Sequence, residues 1–104
     1  MGNYFYYQKE VSIISYNIKF VEQIKNDISK KYSEKMKIKF YQSKMVIKND
    51  NFIFNFDYSE IKSILGEKKY FSFETYQKDK YMFLLEDNID FNHINYYFNK
   101  FCKF

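Results

Sequence analysis

A catalytic or metal site needs an acid, a base, a nucleophile or a ligand cluster held in place, and this chain of 104 residues offers few. Its sole histidine, His93, follows Asp90 by three residues and precedes the sole cysteine, Cys102, by nine. One imidazole excludes any site that requires two, and one thiol excludes both a clustered thiolate zinc site and an intramolecular disulfide. Nine residues along one helix is far out of contact. His93 therefore reads as a solvated surface side chain, and Cys102 as a thiol with no cation or base beside it in sequence. Glu86, Asp87 and Asp90 form the densest carboxylate group, which would suit a hard cation but is equally what a helix N-terminus prefers; a calcium loop would also want a glycine that is absent there. With only Gly2 and Gly66 in the chain, no glycine-rich phosphate loop or dinucleotide fingerprint can be built. The expectation is a non-enzymatic protein with no catalytic residue, cofactor or metal.

Binding chemistry is better represented. Lys35, Lys37 and Lys39 alternate along one predicted strand beside aromatic residues. A surface for single-stranded nucleic acid needs both parts, ammonium groups for the phosphates and rings on which bases stack. A solvated strand face whose lysines discourage edge-to-edge pairing has the same pattern, and is the commoner reason for it. The net charge of +4 points the same way as the lysine ridge. All 17 basic residues are lysine, however, and the absence of arginine argues against sequence-specific reading of a duplex.

Composition explains part of that charge. Ala, Arg, Pro and Trp are missing, while Phe, Tyr, Ile, Asn and Lys dominate, as A/T-rich codons dictate. Aromatic residues reach 24% of the chain. Phe52, Phe54, Phe56, Phe91, Phe98 and Phe101 fall at interior positions by periodicity, but twelve tyrosines exceed what a core of this size needs. Tyrosine is enriched where one protein meets another, which makes Tyr4, Tyr6, Tyr70, Tyr76, Tyr96 and Tyr97 the candidate protein-binding residues.

These side chains must be positioned by a single domain, since 104 residues without an internal repeat or a Gly/Ser/Pro linker leave room for one. Tyr4–Tyr7 and Val11–Ile14 favour an N-terminal strand. Ile18, Val21, Ile24, Ile28 and Tyr32 recur at three and four, which predicts a long helix over 16–33 capped by Ser15. Met36, Ile38 and Phe40 then alternate with lysines, and a turn follows before a strand at 45–48. Asn49-Asp50 predicts a tight hairpin into Phe52, Phe54 and Phe56. Ser59 can cap a short helix near 59–65 that Gly66 would end in the left-handed conformation. Two strands near 70–76 and 80–86 form a second hairpin, with Tyr81–Leu85 apolar on both parities. Phe91, Ile94, Phe98 and Phe101 predict a C-terminal helix over about 88–103.

That order predicts an α+β domain over 1–104: an antiparallel sheet of about four to five strands with the two long helices on one face. No apolar run is long enough to cross a bilayer as a helix, and no leader is evident, so an interior, cytoplasmic location is expected. Three functional classes follow. The first is a small non-catalytic protein that binds and inhibits or modulates another protein or ribonucleoprotein, the kind of protein that phages and other mobile elements encode as anti-CRISPR or immunity-like inhibitors. The second is a small single-stranded nucleic-acid binder without sequence preference. An enzyme with a minimal site is the remainder. A homodimer would be an economical cover for surplus aromatic surface.

Overall fold

The computed structural model describes residues 11–104. Tyr4, Tyr6 and the strand expected at 4–7 lie outside the described residues. Seven strands run in chain order: β1 (Ile14–Lys25), β2 (Ile28–Phe40), β3 (Lys44–Lys48), β4 (Ile53–Asp57), β5 (Ile61–Glu67), β6 (Tyr70–Thr75) and β7 (Lys80–Leu85). One helix, α1 (Phe91–Cys102), closes the described chain. A 3-10 turn at Tyr58–Glu60 joins β4 to β5.

All the ladders are antiparallel, and the strands form one sheet in the order β4-β3-β2-β1-β7-β6-β5. β4 and β5 are thus the two edges, yet only three residues separate them. Three residues span roughly 10 Å at most, so the sheet must curl until its edges approach. The result is a half-barrel with α1 packed against its interior.

This architecture corrects the predicted one in three places. First, there is one long helix where two were expected, and seven strands where four to five were expected. Residues 16–33 are the β1–β2 hairpin. Tyr16, Ile18 and Phe20 alternate into the core, and then a bulge between Phe20 and Glu22 inserts Val21 and shifts the register. That extra residue converts a period of two into a spacing of three, which imitates a helix. Second, the two-residue loop Asn26-Asp27 has positive φ at both positions (53° and 64°), the conformation of a type I′ hairpin turn. Third, residues 59–65 are not a helix: the 3-10 turn ends at Glu60 and β5 takes over. Gly66 lies within β5, and its φ is not positive.

Elsewhere the patterning holds, except that Phe52, expected inside, is exposed just before β4. Met36, Ile38 and Phe40 are buried. The β3–β4 hairpin forms, with the Asn49 side chain accepting hydrogen bonds from the backbone N–H groups of Asn51 and Phe52 at 2.8 Å each. β6 and β7 pair as expected. β7 is an interior strand whose Tyr81, Phe83 and Leu85 are buried while Met82 and Leu84 are only half-covered on the outer face. Helix α1 begins at Phe91, with the Asp90 side chain accepting from the Asn92 N–H at 3.0 Å.

The core is aromatic. Phe98 of α1 meets Phe40 edge-on at 5.1 Å, Phe20 stacks on Phe83 at 5.1 Å, and Phe71 stacks on Phe83 at 5.2 Å. Each such pair contributes about 0.5–1.5 kcal/mol beyond the area it buries.

Candidate functional site

The concave face is filled by α1 and its aromatic partners, so chemistry with a partner falls to the outer face. Its character is set by register. The β1–β2 turn fixes Lys19 opposite Lys35 and Asn17 opposite Lys37. The β2–β3 ladder then places Lys48 opposite Lys37. Because Met36, Ile38 and Phe40 point inward, Lys35, Lys37 and Lys39 point outward.

Five lysines, at 19, 35, 37, 39 and 48, therefore share one face across three strands. Two of the cross-strand pairs, Lys19–Lys35 and Lys37–Lys48, set like charges directly opposite each other, which destabilises a sheet. Among the described residues none of the five makes an ion pair. A shallow depression of about 360 Å³ lies among Lys35, Lys37, Lys39, Lys48, Asn17 and Asp50, where Asp50 is the one carboxylate. Asn17 is tied down from outside: its backbone N–H and side-chain amide donate to the two oxygens of Asp87 at 2.6 and 2.8 Å. Asn49 donates to the Lys35 carbonyl at 3.1 Å and holds the β3–β4 loop against the depression.

Sequence reasoning identified three of these lysines and missed Lys19 and Lys48. Nothing linear marks those two, since only strand register brings them to positions 35 and 37. It also expected rings beside the lysines. The residues between the lysines face the core instead, so among the described residues this stretch of the outer face carries ammonium groups and no stacking platform.

Among the described residues the candidate tyrosines do not converge. Tyr70 and Tyr76 are exposed at opposite ends of β6, and Tyr96 is exposed on α1. Tyr97 is half-buried, with its ring 5.7 Å from Phe40 and 6.4 Å from Tyr16. Tyr70 does join a second outer-face feature, an apolar groove of about 390 Å³ lined by Val21, Leu65, Tyr70 and Met82.

The groups considered for catalysis are dispersed or occupied. His93 is exposed in the first turn of α1. Burial pushes the Cys102 thiol up to about 12, which keeps it protonated and unreactive. Asp87 holds Asn17 and Asp90 caps α1. Among the described residues no three His, Cys, Asp or Glu side chains converge as metal ligands would. No helix among them is long and apolar enough to cross a membrane.

No family model matches the chain, and no curated protein does. A solved structure described as the C-terminal domain of an unknown protein from Leishmania infantum is similar in fold, with a TM-score of 0.68. The likeness covers 91% of this chain and 86% of that one at 13% identity, and so extends to the fold alone.

Proposed function

We propose that this chain is a non-catalytic module that binds and modulates another macromolecule, an anionic protein or ribonucleoprotein, through the outer face of β1–β3. The lysine face carries the reading. Two like-charge cross-strand pairs cost stability in the free protein, and an anionic partner relieves that cost while using it for affinity and for rapid encounter.

A single-stranded nucleic acid held through its phosphates is the second reading. Alternate residues of β2 stand about 6.6 Å apart, so its lysines offer a row of ammonium groups to a phosphate chain. With no ring among the described residues beside them, such binding would be electrostatic and indifferent to sequence.

Fluorescence anisotropy tests both. Labelled polyglutamate, single-stranded RNA and single-stranded DNA are titrated at about 50 and 200 mM salt, a range over which phosphate contacts lose much of their affinity. Polyanion binding that weakens with salt and disappears in the Lys35→Glu/Lys37→Glu/Lys39→Glu variant supports the lysine face. If none of the three probes binds at the lower salt, the assignment fails. A preference for polyglutamate favours the protein reading, and a preference for nucleic acid favours the second.

A further inference from the structure

We infer that the partner of the lysine face is a short protein segment in two blocks, acidic residues over β1–β3 and large apolar side chains in the outer-face groove beside them. This deepens the lysine-face reading and rests on it.

Strand register joins the two features. Lys35 faces Lys19 of β1, Lys19 faces Leu84 of β7, and Leu84 faces Tyr70 of β6, so one cross-strand row runs from two lysines to two apolar side chains. With neighbouring strands about 4.8 Å apart, Lys19 stands directly beside the groove. Val21, two residues further along β1, lines that groove with Met82, Tyr70 and Leu65. Leu65 is 74% exposed and Tyr70 63%, so the apolar lining is open in the free chain. A depression of this kind receives inserted side chains. Ile53 is also exposed, across from Lys48 on the other flank of the ridge, but the next residue on its face of β4 is Asn55 and no apolar patch continues from it.

Charge decides where each block goes. Glu67 faces Tyr70 at the far end of the row, and Glu22 faces Met82 at the near margin of the groove. Carboxylates of a partner are therefore attracted over the lysines and repelled at the groove, which disfavours a segment that mixes acidic and apolar residues. Size decides between a segment and a domain. From β3 to β5 there are five strand spacings, about 24 Å, a distance that seven or eight extended residues cover. Along the strands the lysine ridge is about 13 Å deep, so the footprint falls well below the roughly 800 Å² per side of a typical interface between domains. An apolar anchor in a depression with charges at its flank is also the usual anatomy of a protein contact.

Fluorescence anisotropy with three end-labelled peptides of about eight residues, the length that spans the face, reads this directly. The first is a run of glutamates followed by Leu-Phe-Leu-Phe, the second alternates the same residues, and the third ends in serines instead. At about 50 mM salt the block peptide should bind at least about tenfold tighter than either control, the effect of burying one large apolar side chain. That advantage should vanish in Leu65→Ser/Tyr70→Ser, whose exposed positions leave the fold intact as judged by circular dichroism. All three peptides should lose binding in Lys35→Glu/Lys37→Glu/Lys39→Glu. A block peptide no tighter than its controls overturns the inference, as does an advantage that persists in Leu65→Ser/Tyr70→Ser. Binding to phosphatidylserine vesicles that needs Leu65 and Tyr70, without preference for the block peptide, overturns it in favour of a lipid surface. In each of these cases the lysine-face reading stands as long as the serine-ended peptide binds and is released at about 200 mM salt. If that peptide does not bind, the lysine-face reading fails and this inference falls with it.

Discussion

Phe91 occupies the space that a side chain on Gly66 would need: a Cβ built there would stand closer than 3.0 Å to three atoms of the Phe91 ring. The glycine serves helix–sheet packing and not a special backbone conformation. It lets the start of α1 settle directly on β5, where the Phe91 N–H donates to the Lys68 carbonyl at 2.6 Å. Gly66→Ala should therefore destabilise by about 1–3 kcal/mol, the usual cost of overpacking. Adding Phe91→Leu should recover part of the loss, as a double-mutant cycle in denaturant would show; an unchanged midpoint in the single variant contradicts the packing.

Phe98 is fully buried between Phe40, Phe71 and Phe73, and through it α1 holds both halves of the sheet. Truncation to Ala should cost about 3–5 kcal/mol, a large share of the roughly 5–15 kcal/mol of a typical domain. Phe98→Leu should cost less. Equal, small losses in both would mean that α1 is not integral to the core.

The Tyr16 hydroxyl is buried and has no hydrogen-bond partner among the described residues. Removing a group that already lacks its partner relieves a desolvation cost without breaking a bond. Tyr16→Phe should be neutral or stabilising by up to about 1 kcal/mol. A clear loss of stability by thermal melting would reveal a bond that the geometry lacks.

Burial raises Tyr16 to about 12 from 10.0, with smaller contributions from the charges of Tyr97 and Asp87, and raises Cys102 to about 12 from 9.0. Above pH 9 the unfolded chain releases protons that the folded chain retains. Stability is thus complete below that pH and falls as pH rises toward 12. The melting temperature should decline between pH 8 and 11, and a Tyr16→Phe/Cys102→Ser variant should decline less steeply. Identical slopes would show that neither group is linked to folding.

Lys37 is opposed by Lys48, so reversing one charge should help the fold and harm binding. Lys37→Glu should raise stability by about 0.2–1 kcal/mol in low salt while lowering affinity for anionic probes. Added salt should stabilise the wild-type more than the variant, because it screens the repulsion that only the wild-type has. A variant less stable than wild-type at low salt would count against the opposed pair.

How far the sequence could be read depended on whether each signal was local. The alternation at 35–40, the turn after Phe40 and the Asx-stabilised loop at Asn49 are decided within a few residues, and they are where they were expected. The periodicity of α1 is equally local, since its apolar stripe and Asp90 cap need no distant partner. Asn26-Asp27 carries the same turn chemistry as Asn49-Asp50, and together with the β-branched run at Ile14, Ile18, Val21 and Ile24 it marks a hairpin. The bulge at Val21 hid that hairpin by lending a helical spacing to a strand. At Gly66 a helix-ending residue by type turned out to be a packing residue, because the Phe91 that requires it lies 25 positions away in sequence.

By itself the sequence determined the inward and outward parity of β2 and an aromatic core, because composition and period fix these without knowledge of neighbours. The tertiary structure alone decided that Lys19 and Lys48 join the lysine ridge, that the Phe40 ring next to Lys39 is spent on the core, that Tyr70, Tyr76, Tyr96 and Tyr97 disperse, and that Leu65 stands exposed on β5. Each of those depends on strand register and sheet order. Pairings between residues far apart in the chain are selected by the packing of the whole half-barrel and leave no trace in any short stretch of sequence.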